Sequence, residues 1–162
     1  MSQRVPVVRQ IAWISIIPHL IVLGLVIAIF TMLGTPEPII FGALFYLILS
    51  RLVRGILTKH HTSGIRAMRK GNFEGALEHF QKSFNFFSEH RWIDEWRFLV
   101  LLSSSAMTYR EMALCNIAFA HSQLGDGRSA YEIYDRVLQE YPGNALASAA
   151  INLMRSATTI SG

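Results

Sequence analysis

The chain has 162 residues, a single cysteine, a formal net charge of +4 and a mean hydropathy of +0.32, which is high for a water-soluble domain. That length holds one compact domain plus an appended segment, and the lone Cys115 excludes an intramolecular disulfide framework and a thiolate metal cluster. Charge is segregated: residues 1–70 carry eight basic side chains against Glu37 alone, whereas residues 71–162 carry seven basic against ten acidic. A nucleic-acid binder would place its basic stripe on the folded domain. Here the positive charge flanks apolar segments and suits anionic lipid headgroups, so no nucleic-acid partner is expected.

The first apolar segment, IAWISIIPHLIVLGLVIAIFTML at 11–33, contains no Asp, Glu, Lys or Arg. As a helix it would extend about 35 Å, enough for a hydrocarbon core of about 30 Å with some tilt. Pro18 predicts a kink of the kind spanning helices tolerate, and His19 reads as a packed or interfacial residue. GTPEP at 34–38 is a turn. The second segment, IIFGALFYLILS, reaches a spanning length only if it continues to residue 57 with Arg51 and Arg54 snorkelling to the headgroups. The pair predicts an N-terminal transmembrane helical hairpin over 1–57, with spans at 11–33 and 39–57. A re-entrant or interfacial second segment is the alternative. Arg4 and Arg9 precede the first span and the cluster Arg51–Lys70 follows the second, while the connection has no Lys or Arg. The positive-inside rule therefore places both termini in the cytoplasm, at a bacterial inner or plasma membrane. The first segment is too long for a signal peptide and is followed by no clear small-x-small cleavage site.

Beyond the membrane segments, KGNFEGALEHFQKSF at 70–84 sets Phe73, Ala76, Leu77, Phe80 and Phe84 on one helical face. The pattern returns 54 residues later: Gly71, Ala76, Leu77, Phe80, Phe84 and Phe87 correspond to Gly125, Ala130, Tyr131, Tyr134, Leu138 and Tyr141. The alanines suit close helix approach, and the aromatics one turn on fill the wedge between helices. Gly71 and Gly125 stand where a first helix would end in a left-handed residue. Ala76…Phe80, Ala130…Tyr134 and the terminating Pro142 resemble the second helix of the tetratricopeptide repeat, a helix–turn–helix unit of about 34 residues. First helices match less well. Leu114, Ile117, Ala118 and His121 stand where that family prefers Trp, Leu, Gly and Tyr; Gly64 supplies the glycine of the first copy, but Ala67 replaces an aromatic.

The resemblance implies an all-α chain in which the membrane hairpin is followed by a TPR-like α-solenoid domain over 58–144. Its repeats fall at about 57–90 and 111–144, an insertion at about 91–110 lies between them, and a C-terminal capping helix and tail occupy 145–162. It also implies a groove lined by first-helix residues: Ile65, Met68 and Arg69, then Met112, Asn116, Phe119 and Gln123, with Thr58, His61, Cys115 and Ser122 beside them. That lining is mostly apolar, with Arg69 as an anion contact, and suits a helix or apolar peptide segment.

No Gly or Pro occurs from Arg91 to Leu124, which predicts one long helix running into the second repeat, its start suited by Asp94 and Glu95. The FLVLL run at 98–102 is apolar all round and needs burial on more than one side. Either the insertion packs against both repeats, or Trp92, Trp96, Phe98 and Leu99 form a partner or self-association surface. No catalytic constellation emerges. His19, His60, His61, His79, His90 and His121 form neither H-E-x-x-H nor a Cys/His zinc pattern, and no phosphate loop is present. The pair His60–His61 reads as solvated linker. We therefore expect a non-enzymatic chain without a cofactor: a membrane-tethered protein–protein interaction module, scaffold or recruiting adaptor. Its partners would be the lipid bilayer and another protein or peptide segment, including a second copy in a homo-oligomer. The alternative is a small accessory subunit of a larger integral membrane complex.

Overall fold

The computed structural model describes residues 16–101, 103 and 105–160, and the regular elements among them are all α-helices. In chain order they are α1 (Ile16–Met32), α2 (Pro38–Leu57), α3 (Lys59–Arg69), α4 (Phe73–Glu89), α5 (Arg91–Glu95), α6 (Arg97–Val100), α7 (Tyr109–Gln123), α8 (Gly127–Glu140) and α9 (Ala145–Ile160). They form two compact units. Among the described residues, one takes Ile16–Lys59 together with Arg91–Ala106; the other takes His60–His90 and the chain from Met107.

In the first unit α1 and α2 pack against each other. α1 closes in a glycine turn: the Gly34 N–H donates to the Thr31 carbonyl at 3.0 Å and the Thr35 N–H to the Phe30 carbonyl at 3.3 Å. Pro38 then opens α2, where a missing N–H costs no helical hydrogen bond. The helices meet where Ile27 lies against Gly42, and the Phe30 and Phe45 rings are 5.8 Å apart. No residue of α1 is buried, and Gly42 is the only buried residue of α2. α2 runs unbroken through Arg51 and Arg54 and is the one described helix long and apolar enough to cross a membrane. α1 has 17 residues and ends one residue short of the predicted segment, at Met32; residues 11–15 of that segment lie outside the described residues, as do Arg4 and Arg9.

The single long helix predicted from Arg91 into the second repeat does not form. α5 ends at Glu95, α6 at Val100, and α7 starts only at Tyr109. Two local devices outweigh the absence of Gly and Pro. Thr108 and Glu111 make a capping box: the Thr108 hydroxyl accepts from the Glu111 N–H at 3.1 Å, and the Glu111 carboxylate accepts from the Thr108 N–H at 3.3 Å. Upstream, the buried Arg97 guanidinium donates to the carbonyls of Asp94, Ser105 and Ala106 at 3.1, 3.1 and 2.8 Å, holding the segment folded back on itself. The Arg54 Nε donates to the Leu101 carbonyl at 3.2 Å, and α6 packs against α1.

In the second unit α4 packs on α7, α7 on α8, and α8 on α9, while α3 lies against α4. A Cβ added at Gly64 would stand 2.7 Å from the Phe80 ring, so the small residue sets that approach. The turns from α3 to α4 and from α7 to α8 are built alike. Gly71 and Gly125 take φ of +75° and +80°, where a side chain is strained. The following N–H groups, of Asn72 and Asp126, reach back to the carbonyls of Ala67 and His121 at 3.1 and 3.0 Å. Each of those two residues then caps the next helix, Asn72 accepting from the Gly75 N–H at 2.9 Å and Asp126 from the Ser129 N–H at 3.0 Å. Ala76 with Phe80, and Ala130 with Tyr134, occupy the core of their respective helix pairs. Phe84 joins both apolar clusters, with the Arg110 and Arg136 guanidinium groups over its ring. Buried Asn144 starts α9: its amide oxygen accepts from the Ala147 N–H at 2.8 Å, and its Nδ2 donates to Glu111 at 2.9 Å on α7.

Candidate interaction face

α7 is packed on two sides, by α4 and by α8. Tyr109, Ala113, Leu114, Cys115, Ile117, Ala118 and Ala120 are consequently all buried. This two-sided burial leaves Met112, Asn116, Phe119 and Gln123 as a stripe at helical spacing; the first three are half-buried and Gln123 is exposed. On α3, Ile65 is half-buried, Met68 is buried and Arg69 is exposed. Ile65, Met68 and Phe119 are brought together on one apolar cluster with Ala76, Phe80 and Ile117, where Phe119 meets the Phe73 ring edge-on at 6.4 Å. Met68 thus serves the core more than a groove; Arg69 and Gln123 are exposed, and Ile65, Met112, Asn116 and Phe119 keep part of their surface accessible.

Two neighbours of that face depart from expectation. His61 is not solvated linker: it lies in the first turns of α3, 8% exposed, with the Ser83 hydroxyl 3.4 Å from its Nδ1 and the rings of Phe80 and Tyr109 edge-on to it. Burial holds its pKa down to about 4, so the imidazole is neutral near pH 7. Cys115 does not line a groove either. It packs with Leu114, Tyr134 and Val137, and its Sγ lies 3.4 Å from the Asn144 Nδ2. Burial pushes its thiol up to about 12, against a smaller opposing effect of the Asn144 hydrogen bond, so it carries no thiolate chemistry near neutral pH.

The four insertion residues stand on the other unit. Trp92 and Trp96 are exposed by 57% and 59%, Leu99 is exposed, and Phe98 is half-buried with the Arg97 guanidinium 4.4 Å over its ring. With Glu95 and Pro18, the residues Trp96, Phe98 and Leu99 line an open, mostly apolar recess of about 410 Å³. Among the described residues no group of three His, Cys, Asp or Glu side chains could hold a metal ion.

The signals that sequence reading passed over were present but local. Thr108-Tyr-Arg-Glu111 is a capping-box pattern, and Gly143-Asn144 repeats the glycine–Asx start seen at Gly71-Asn72 and Gly125-Asp126. No family model, curated protein or solved structure matches the chain.

Proposed function

We propose that this protein is a membrane-tethered interaction module: α1 and α2 form a transmembrane hairpin, and α3–α4 and α7–α8 are two TPR-like helix pairs capped by α9, held at the cytoplasmic face to recruit or scaffold another protein. The observation that carries the tether is the inversion of burial. Side chains such as Ile17, Leu20, Leu25, Ile40, Leu47 and Ile56 stay exposed along α1 and α2, while the unit of α3, α4 and α7–α9 buries Phe80, Phe87 and Val137 completely. Exposing each such side chain to water forgoes about 1.5–3 kcal/mol, a penalty that acyl chains remove. The repeat reading is supported by the matching turns and by the equivalent burial of Ala76–Phe80 and Ala130–Tyr134.

Recruitment is the reading we favour for the edge formed by Ile65, Arg69, Met112, Asn116, Phe119 and Gln123, which offers apolar area with one cation and suits a helical or extended apolar peptide. Crosslinking with mass spectrometry on intact membranes tests it. Crosslinks from Arg69 or the Gln123 end of α7 to a water-soluble protein support it; crosslinks confined to other integral membrane proteins contradict it. A second reading, an accessory subunit of a larger membrane complex, is favoured by Gly24 and Gly55, which have nothing within 4 Å of an added Cβ and leave flat helix surface for other spans. Gly24→Leu with Gly55→Leu would then break co-purification with membrane partners, and would leave it intact if the pair only anchors.

A further inference from the structure

The geometry points to a second membrane contact: we infer that α5–α6 is an interfacial element whose Trp92, Trp96 and Leu99 insert into the headgroup boundary of the bilayer that α1 and α2 cross. This rests on the membrane reading of α1 and α2 and adds to it a lipid-binding surface outside both spans.

Position comes first. α6 packs against α1, its recess reaches Pro18 near the start of α1, and Arg54 near the end of α2 donates to the Leu101 carbonyl just beyond α6. α1 and α2 pack together across a short turn, so Pro18 and Arg54 mark the same end of the pair. Arg54 lies about 24 Å along α2 from Pro38, against a hydrocarbon thickness of about 30 Å, which puts this end within about 6 Å of the boundary opposite the turn. Ile17, Leu20 and Ile21, within one turn of Pro18 on α1, are exposed.

Chemistry comes second. Tryptophan has an apolar body and a polar N–H, and collects where one side is acyl chain and the other is wet. Both tryptophans of the element are more than half exposed, which in water has no compensation. The charge at this end complements an anionic leaflet: exposed Arg51, Arg54, Lys59 and Arg91 stand against exposed Glu95, while Arg97 and Asp94 are buried. The backbone is prepared as well. Non-helical backbone near hydrocarbon needs partners for its polar groups, and Arg97 and Arg54 together cover the carbonyls of Asp94, Leu101, Ser105 and Ala106. The element is too short to span.

The test uses the full-length chain in vesicles of phosphatidylcholine with about 30% phosphatidylglycerol, containing lipid brominated either high on the acyl chain or near its end. Trp13, Trp92 and Trp96 are the three tryptophans. Phenylalanine replaces two at a time, leaving Trp92 or Trp96 as sole reporter, and Leu25→Trp in a tryptophan-free background reports the mid-span. We expect high-chain bromine to quench Trp92 and Trp96 about twofold and chain-end bromine to quench them less, with the opposite order for the Leu25→Trp reporter. Deep quenching at the Leu25→Trp position with no quenching of Trp92 or Trp96 overturns the inference and leaves the tether standing, whether those two emit as water-exposed or as covered by protein. No quenching at the Leu25→Trp position overturns both. Unquenched but blue-shifted emission that reverts on dilution would assign the surface to a protein contact instead.

Discussion

At the residue scale, burial decides what the chemically interesting side chains do. His61 has a folded-state pKa of about 4 against an ordinary 6.5 because burial disfavours the imidazolium. The folded state therefore binds fewer protons than the unfolded chain between those values, and stability falls as pH drops through that window. The loss approaches about 3 kcal/mol by pH 4. Thermal melts in detergent across pH 7 to 4 should show this slope, and His61→Gln should flatten it. Asp126, whose carboxyl is held below its ordinary value first by its hydrogen bonds to Ser129, acts in a lower window: its contribution is present above the usual carboxylate range and is lost as pH falls below it. Cys115, buried with a raised pKa, should react with a maleimide only after denaturation. Gly64 lies tight against the Phe80 ring. Gly64→Ala drives a methyl into the fully buried Phe80 ring and should cost about 1–3 kcal/mol in denaturant unfolding.

At the element scale, the two glycine–Asx turns are equivalent and should respond equally. Gly71→Ala and Gly125→Ala each place a side chain at positive φ and should each cost about 1 kcal/mol, and Asn72→Ala a similar amount through its lost cap. A marked difference between the two glycines would weaken the equivalence. These turns were legible because their determinants are adjacent in sequence: glycine, Asx and the recurring small–aromatic face. The α5–α6 segment was not, because its fold depends on Arg97 reaching carbonyls eight and nine residues ahead, which no local pattern announces. Absence of Gly and Pro permits a helix without requiring one. Arg97→Met should leave those carbonyls without their side-chain donor, cost about 2 kcal/mol, and open residues 101–108 to limited proteolysis. His61 was misread for the same reason, since its neighbours Ser83 and Tyr109 lie 22 and 48 residues away in the chain.

At the scale of the whole molecule, the chain leaves the unit of α3 and α4 at His90, adds α5 and α6 to the unit of α1 and α2, and returns at Met107 for α7–α9. The insertion thus belongs with the apolar pair, so Trp92, Trp96, Phe98 and Leu99 fall on a different unit from the residues proposed for the groove on α3 and α7. All-helical architecture and apolar α1 and α2 segments were readable from composition and periodicity. Which stripe of α7 stays accessible was only half readable, because it depends on packing by α4 on one side and α8 on the other.

The tether is the central claim, and the inert Cys115 makes it directly measurable. With Pro36→Cys in the α1–α2 turn and, separately, Lys70→Cys at the end of α3, a membrane-impermeant maleimide is added to intact cells expressing the full-length protein. The account predicts labelling at position 36 in intact cells and at position 70 only after lysis. Labelling of both, or of neither, before lysis would contradict it.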